Sequence, residues 1–235
     1  MVFDSRQGTI REATIVGNTI QAKRSRGGAN VRLLGVGRDN PQAVGLLTIS
    51  GNLIASQETA LHLSACRGVV VSGNSIYGGY ANALLAEDAE NLVLGPNSID
   101  HNPDYPGPST DRVILRRCRN VTATGLVLQH TRPAKEEPEA SVLVEGCENV
   151  SLTGCQVLGA RRRGVLVRGS RVVRVSECTI RSRDGDAAYR AALVVDGDSR
   201  FVLAANNFLA PGPDGALLLP PAAGTASGNI SLPAG

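Results

Sequence analysis

Apolar residues along this chain come in short runs separated by Gly, Asn, Ser and charged residues, and no window of a dozen residues carries a helical stripe. One phrase recurs: Ile15-Val16-Gly17-Asn18-Thr19-Ile20, Ile49-Ser50-Gly51-Asn52-Leu53-Ile54 and Val71-Ser72-Gly73-Asn74-Ser75-Ile76. Degenerate copies follow at Leu94 to Ile99, Ala123 to Leu128, Leu152 to Val157, Val175 to Ile180 and Leu203 to Phe208, and Gly228-Asn229 closes the series. Aligned on the Asn position, the copies fall at 18, 52, 74, 97, 126, 155, 178 and 206, with spacings of 34, 22, 23, 29, 29, 23 and 28 residues. A constant phrase at variable spacing is one structural unit with loops of changing length.

Thirteen residues before the Asn position stands a second apolar segment: Leu61-His62-Leu63, Leu84-Leu85-Ala86, Val113-Ile114-Leu115, Val142-Leu143-Val144, Val165-Leu166-Val167 and Leu193-Val194-Val195. These segments are short, β-branched or Leu-rich, and bounded by turn formers, which predicts strands. The phrase also fits leucine-rich-repeat spacing, but that repeat continues into a helical segment with further Leu. Here Gly, Pro or charge follows, and then another strand. Two or three short strands per turn predict an all-β, single-stranded right-handed parallel β-helix of about eight to nine coils. The expected domain is the whole chain, 1–235, with regular repeats over about 14–229. The Gly-Asn-x-Ile phrase resembles the β-helix repeat of the pectin-lyase-like superfamily, and this resemblance implies an asparagine ladder and polysaccharide-related chemistry.

Read down columns, the chain places like positions one above another at about 4.8 Å. The Asn column sits at a tight bend, where Asn tolerates left-handed backbone. Cys66, Cys118 and Cys147 share one column with Ala89 and Ser170, and Cys155 and Cys178 share another, so the cysteines read as packing at small inward corners. No converging metal-ligand set is apparent, and neither metal nor cofactor is expected. If Leu61 and Leu63 point inward, alternation turns His62 outward together with Leu85, Ile114, Leu143, Leu166 and Val194. That apolar strip is expected to be covered, either by the long loops near His101 and His130 or by a second copy or flanking domain. Two residues on, Ser64 is followed by Glu87, Arg116, Glu145, Arg168 and Asp196, five successive coils that alternate in sign, a charge ladder that fixes register.

The chemistry-bearing loops follow the Asn phrase. His101 and His130 hold equivalent positions four residues after it, Tyr77 and Tyr80 lie one coil earlier, and eight arginines against one acid (Glu177) fall between Arg161 and Arg183. Such an edge attracts polyanions. The first reading is a rigid scaffold or carbohydrate-interacting module, part of a larger or secreted protein. The alternative is a lyase-, epimerase- or hydrolase-like enzyme on an acidic polysaccharide. In it His101 or His130 serves as base, Arg161, Arg181 or Arg183 neutralises a uronate carboxylate, and Tyr77, Tyr80, Asp100, Asp104, Arg132 and Lys135 contribute to binding. The paired-Asp and Gly-His-Gly elements of polygalacturonases and the Arg-x-Pro-x-x-Arg element of pectate lyases are missing. Asp100-His101-Asn102-Pro103-Asp104 is only faintly similar to the Asp-Pro-His-Asp motif of alginate C5-epimerases, in another order.

Composition changes this picture little. Hydrophobic residues make up 42%, aromatics 3% with no Trp, so the core is aliphatic. A net charge of +3 does not imply nucleic acid, and no apolar run is long enough to span a membrane. No signal peptide is visible at Met1 to Arg6, and an extracellular or periplasmic location follows from the family resemblance alone.

Overall fold

The computed structural model describes residues 1–37, 44–102, 104–105, 107–129, 138–183 and 186–233. Its strands pair with one another in parallel and stack on three faces, with nine rungs per face among the described residues. The first face runs from Thr14–Val16 through Gly45–Ser50, Arg67–Ser72, Glu90–Leu94 and their successors to Gly224–Ser227. The second starts at Thr19–Gln21 and continues through Ser98–Asp100, Val127–Gln129 and Gln156–Leu158 to Ile230–Ser231. The third starts at Val2–Asp4 and includes Arg112–Arg116, Val142–Glu145 and Arg163–Arg168. Two long strands, Leu53–Ser64 and Ser75–Glu87, bend across the corner and belong to both the second and third faces.

The expected register holds. His62 pairs with Leu85, Leu85 with Ile114, Ile114 with Leu143, Leu143 with Leu166 and Leu166 with Val194. Inside, Ile20, Ile54, Ile76, Ile99, Leu128, Val157, Ile180 and Leu209 stack in one column. Each fully buried aliphatic side chain contributes roughly 1.5–3 kcal/mol. With no Trp available, these repeated columns are what hold the solenoid together.

The asparagine ladder is real, with one correction. Asn52 Oδ1 accepts from the Asn18 backbone N–H at 2.9 Å, Asn74 Oδ1 from Asn52 and Asn97 Oδ1 from Asn74, each at 3.0 Å. Leu126, Cys155 and Cys178 interrupt it, and it resumes at Asn207 rather than Asn206: Cys178 N–H donates to Asn207 Oδ1 at 2.9 Å, and Asn207 N–H to Asn229 Oδ1 at 3.0 Å. Asn206 instead takes the place of Gly17 and Gly51 in the phrase, with a φ of 55°. The cysteine corner forms a second ladder of the same kind. Cys118 N–H donates to Cys147 Sγ, Cys147 N–H to Ser170 Oγ and Ser170 N–H to Ser199 Oγ. All five cysteines are buried and unbridged, and burial pushes the Cys66 thiol up to about 12.

The charge ladder stands for four rungs. Arg116 reaches Glu87 at 3.1 Å and Glu145 at 2.8 Å, and Arg168 reaches Glu145 at 3.2 Å. Asp196 does not continue it; its carboxylate accepts from Gly169 N–H and from Ser199. A second ladder runs on the neighbouring face: Glu90, Arg119, Glu148 and Arg171 stack in register, with ion pairs at 2.9 and 2.6 Å. The centre of the apolar strip is covered by the chain itself: Ile114, Leu143 and Leu166 are buried with Ala140, while Leu85 and Val194 are half-buried. Burial of Ile114, Leu143 and Leu166 therefore needs no second copy.

Candidate functional site

The site follows from where the coils have loops and where they do not. The strands Leu53–Ser64 and Ser75–Glu87 turn the corner with a single left-handed residue each, Ser56 (φ 63°) and Gly78 (φ 61°), instead of a loop. A Cβ on Gly78 would come within 3.4 Å of the Ser56 nitrogen, so the two bends nest tightly. The coils on either side do carry loops at this corner, residues 22–28 before and, among the described residues, 101–102, 104–105 and 107–111 after. Two bare corners between two loops make a trough.

The trough is a cleft of about 570 Å³ lined by Gln21, Ala22, Lys23, Arg24, Ser56, Tyr80 and Tyr105. It continues past Tyr77 and Gly78 to His101, Asn102 and Ser109. Tyr105 stacks on Tyr77 with ring centroids 5.9 Å apart, and Gln21 Nε2 donates to the Tyr105 hydroxyl at 2.9 Å. The Arg24 guanidinium lies 4.8 Å from the Tyr80 ring centroid and pairs with Glu58 at 2.8 Å. His101 is held by Asp100, whose Oδ1 lies 3.0 Å from Nδ1 and accepts the His101 backbone N–H at 2.8 Å. Asp104 is exposed, with its N–H bonded to Asn102 Oδ1.

Tyr77, Tyr80, Asp100 and His101 thus meet, Tyr77 pairing in register with Asp100 as the coil alignment predicts. The arginines lie elsewhere on the same edge. Arg161 follows a strand two rungs beyond Ser98–Asp100 and Arg181 one three rungs beyond, about 10 and 14 Å along the axis at the strand spacing. Arg161 is bound to Asp186 at 2.9 Å, and Arg181 and Arg183 lie at exposed positions. His130, Arg132 and Lys135 lie outside the described residues. On the third face His62 contacts Glu87 at 3.3 Å; burial first, and Arg32 next, push its imidazole below the ordinary value. Among the described residues no three His, Cys, Asp or Glu side chains converge as a metal site, and no helix is long and apolar enough to cross a membrane.

The sequence reading missed Gln21, Arg24, Ser56 and Tyr105 as lining residues. One signal pointed to them: of the three shortest spacings, 22, 23 and 23, the first two are consecutive and stand between 34 and 29. Consecutive short coils between long ones are what a trough looks like in one dimension.

All-parallel strands, three stacked faces and an internal asparagine ladder define a parallel β-helix. The family described as the right-handed β-helix region matches residues 2–180, and the chain belongs to it. No curated protein matches the sequence. Among solved structures, the mannuronan C-5 epimerase AlgE6 A-module of Azotobacter vinelandii is 13% identical, with 95% of this chain and 81% of that one covered and a TM-score of 0.41. An alginate lyase from Paenibacillus sp. is 11% identical, with 100% and 83% covered and a TM-score of 0.40. A mutant of the periplasmic alginate epimerase AlgG is 13% identical, with 94% and 62% covered and a TM-score of 0.40.

Proposed function

We propose that this chain is a single-domain, carbohydrate-interacting β-helix whose saccharide site is the tyrosine-lined cleft between the two corner loops. The observation that carries this reading is the cleft itself, with Tyr80 and the stacked Tyr77–Tyr105 pair presented beside Lys23 and Arg24. Aromatic faces offer apolar area to the C–H faces of a pyranose, and polar groups around them orient a ligand. Lys23, together with Arg24, whose guanidinium is shared with Glu58 at 2.8 Å, brings positive charge to the cleft and favours an acidic polysaccharide. The exposed Arg181 and Arg183 further along the edge extend the same preference beyond the cleft. Affinity electrophoresis through gels containing alginate, pectate or a neutral glucan tests the proposal. Retardation by the uronate polymers, weakened by Arg24→Ala, is expected; migration unaffected by any of the three would overturn it.

A second reading, catalysis, is favoured by His101. Its imidazole lies at the end of the cleft with a carboxylate on Nδ1, an arrangement that leaves Nε2 to act as a base toward a proton next to a uronate carboxylate. If the C4 oxygen then leaves, the unsaturated product absorbs in the ultraviolet; if C5 is reprotonated from the other face, the product is the epimer, seen by NMR; one of the two, and its loss in His101→Gln, is the outcome this reading requires.

A further inference from the structure

Asp111 is the most buried carboxylate around the cleft, only 1% exposed, and among the described residues no cation is paired with it. It ties the loop after Ser98–Asp100 back onto the strand that carries Tyr80. Gly79 N–H donates to Asp111 Oδ1 at 2.6 Å, Asp111 N–H donates to Gly79 O at 3.0 Å, and Oδ2 meets the Ser109 hydroxyl, which donates to it when the carboxyl is ionised and accepts from Oδ2–H when it is neutral, its own proton then turning to Gly79 O at 3.4 Å. Beside this reciprocal pair Thr110 N–H donates to Tyr80 O at 3.3 Å and its hydroxyl to Ala81 O. Asp111 makes the contact from left-handed backbone, with a φ of 44°, a conformation that Asp tolerates better than most residues with a Cβ.

We propose that Asp111 is a pH-sensitive clamp on the cleft, closed when its carboxyl is neutral and loosened as that carboxyl ionises. The proposal rests on the cleft being the binding site only for its consequence, that ligand affinity falls as the clamp opens. Geometry gives the reason. An isolated carboxylate buried without a counter-cation is disfavoured relative to the neutral acid, whereas an opened clamp exposes it to water. Among the described residues, the charged groups on the elements packed around it do not relieve this. Asp100 on the neighbouring strand adds negative charge, Arg112 spends its Nε on Ala81 O at 3.2 Å, and Glu87, at the far end of the strand bearing Gly79, is paired with Arg116. Burial, followed by Asp100 and against the Ser109 and Gly79 hydrogen bonds, leaves the carboxyl raised from 3.8 to about 7.

The sign follows. The closed state binds the proton more tightly than the open one, so the opening constant rises about tenfold per pH unit between about 4 and 7 and is flat above that. Amide exchange at Gly79, Thr110 and Asp111, corrected for its intrinsic pH dependence, reads the clamp directly and needs no ligand. Protection falling about a hundredfold from pH 5 to pH 7 in the wild type, and flat in Asp111→Asn, supports the clamp. Equal slopes in both proteins, or none in the wild type, overturn it. If Asp111→Asn does not fold, the carboxyl carbon resonance of Asp111 in the wild type decides: a midpoint near 7 supports the clamp and one near 4 overturns it. Loss of the exchange slope defeats the clamp, whereas failure of uronate oligosaccharides to bind with that slope intact defeats the cleft reading alone.

Discussion

Tyr105 lies against Tyr77, ring centroids 5.9 Å apart and planes 26° from parallel, although the two residues belong to successive coils. The contact fixes one wall of the cleft, since Tyr105 is otherwise half out in solvent. Aromatic pairs contribute about 0.5–1.5 kcal/mol beyond area burial. Tyr105→Ala should therefore lower thermal stability by no more than about 1.5 kcal/mol while reducing affinity for an oligouronate about 3- to 10-fold. Calorimetry and a binding titration on the same variant separate the two effects.

The ladder at the inner bend is costlier to break. Asn74 Oδ1 satisfies the Asn52 N–H, and its Nδ2 donates to Ile49 O and Ser72 O. Asn74→Ala leaves several buried polar groups unpaired, at roughly 1–3 kcal/mol each before relaxation. Denaturant unfolding should show a loss of at least about 2 kcal/mol, with the larger effect in the N-terminal coils.

Charge alternation predicts an epistatic pattern. Arg116→Glu stacks three carboxylates at 87, 116 and 145 and should destabilise by about 1–2 kcal/mol, less at high salt because the ladder is partly exposed. Adding Glu145→Arg restores only the middle pair, since position 116 still repels Glu87 and position 145 then repels Arg168. Urea midpoints at low and high salt check both statements.

One exposed column invites stabilisation. Asn91, Asn120 and Asn149 occupy left-handed backbone with their amides hydrogen-bonded in series, and Val172 follows them at a φ of 56°. A β-branched residue is poorly suited to that conformation. Val172→Asn should raise stability by about 1 kcal/mol by relieving strain and extending the amide series. A lowered melting temperature would count against this account of the column.

What the sequence made legible is what repeats. Leu61, Leu84, Val113, Val142, Val165 and Leu193 align in the fold as they do on paper, because each rung reuses one inward position and a slip would expose it. Asn207 escaped because two adjacent asparagines both fit the phrase, and only backbone conformation separates the left-handed Asn206 from the inward Asn207. The cleft escaped for a different reason. Gln21 and Tyr105 touch across 84 residues of sequence, through loops with no repeated pattern. Arg161 likewise reads as an unopposed cation until its loop meets Asp186. Coverage of Leu143 was one of two alternatives, and the buried Ala140 favours the chain's own segment. Leu143→Arg should then cost several kcal/mol in the isolated chain, and an unchanged melting temperature would contradict that burial.

The central claim, that the trough between the two corner loops binds an acidic saccharide, is tested most directly by titrating an oligouronate into the wild type and into Tyr80→Ala under calorimetry. Tyr80 lines both parts of the cleft and carries the Arg24 contact. Saturable binding to the wild type, weakened at least about tenfold in Tyr80→Ala with the melting temperature preserved, is the predicted result. Equal affinity in the two proteins would place the saccharide elsewhere on the solenoid and contradict the account.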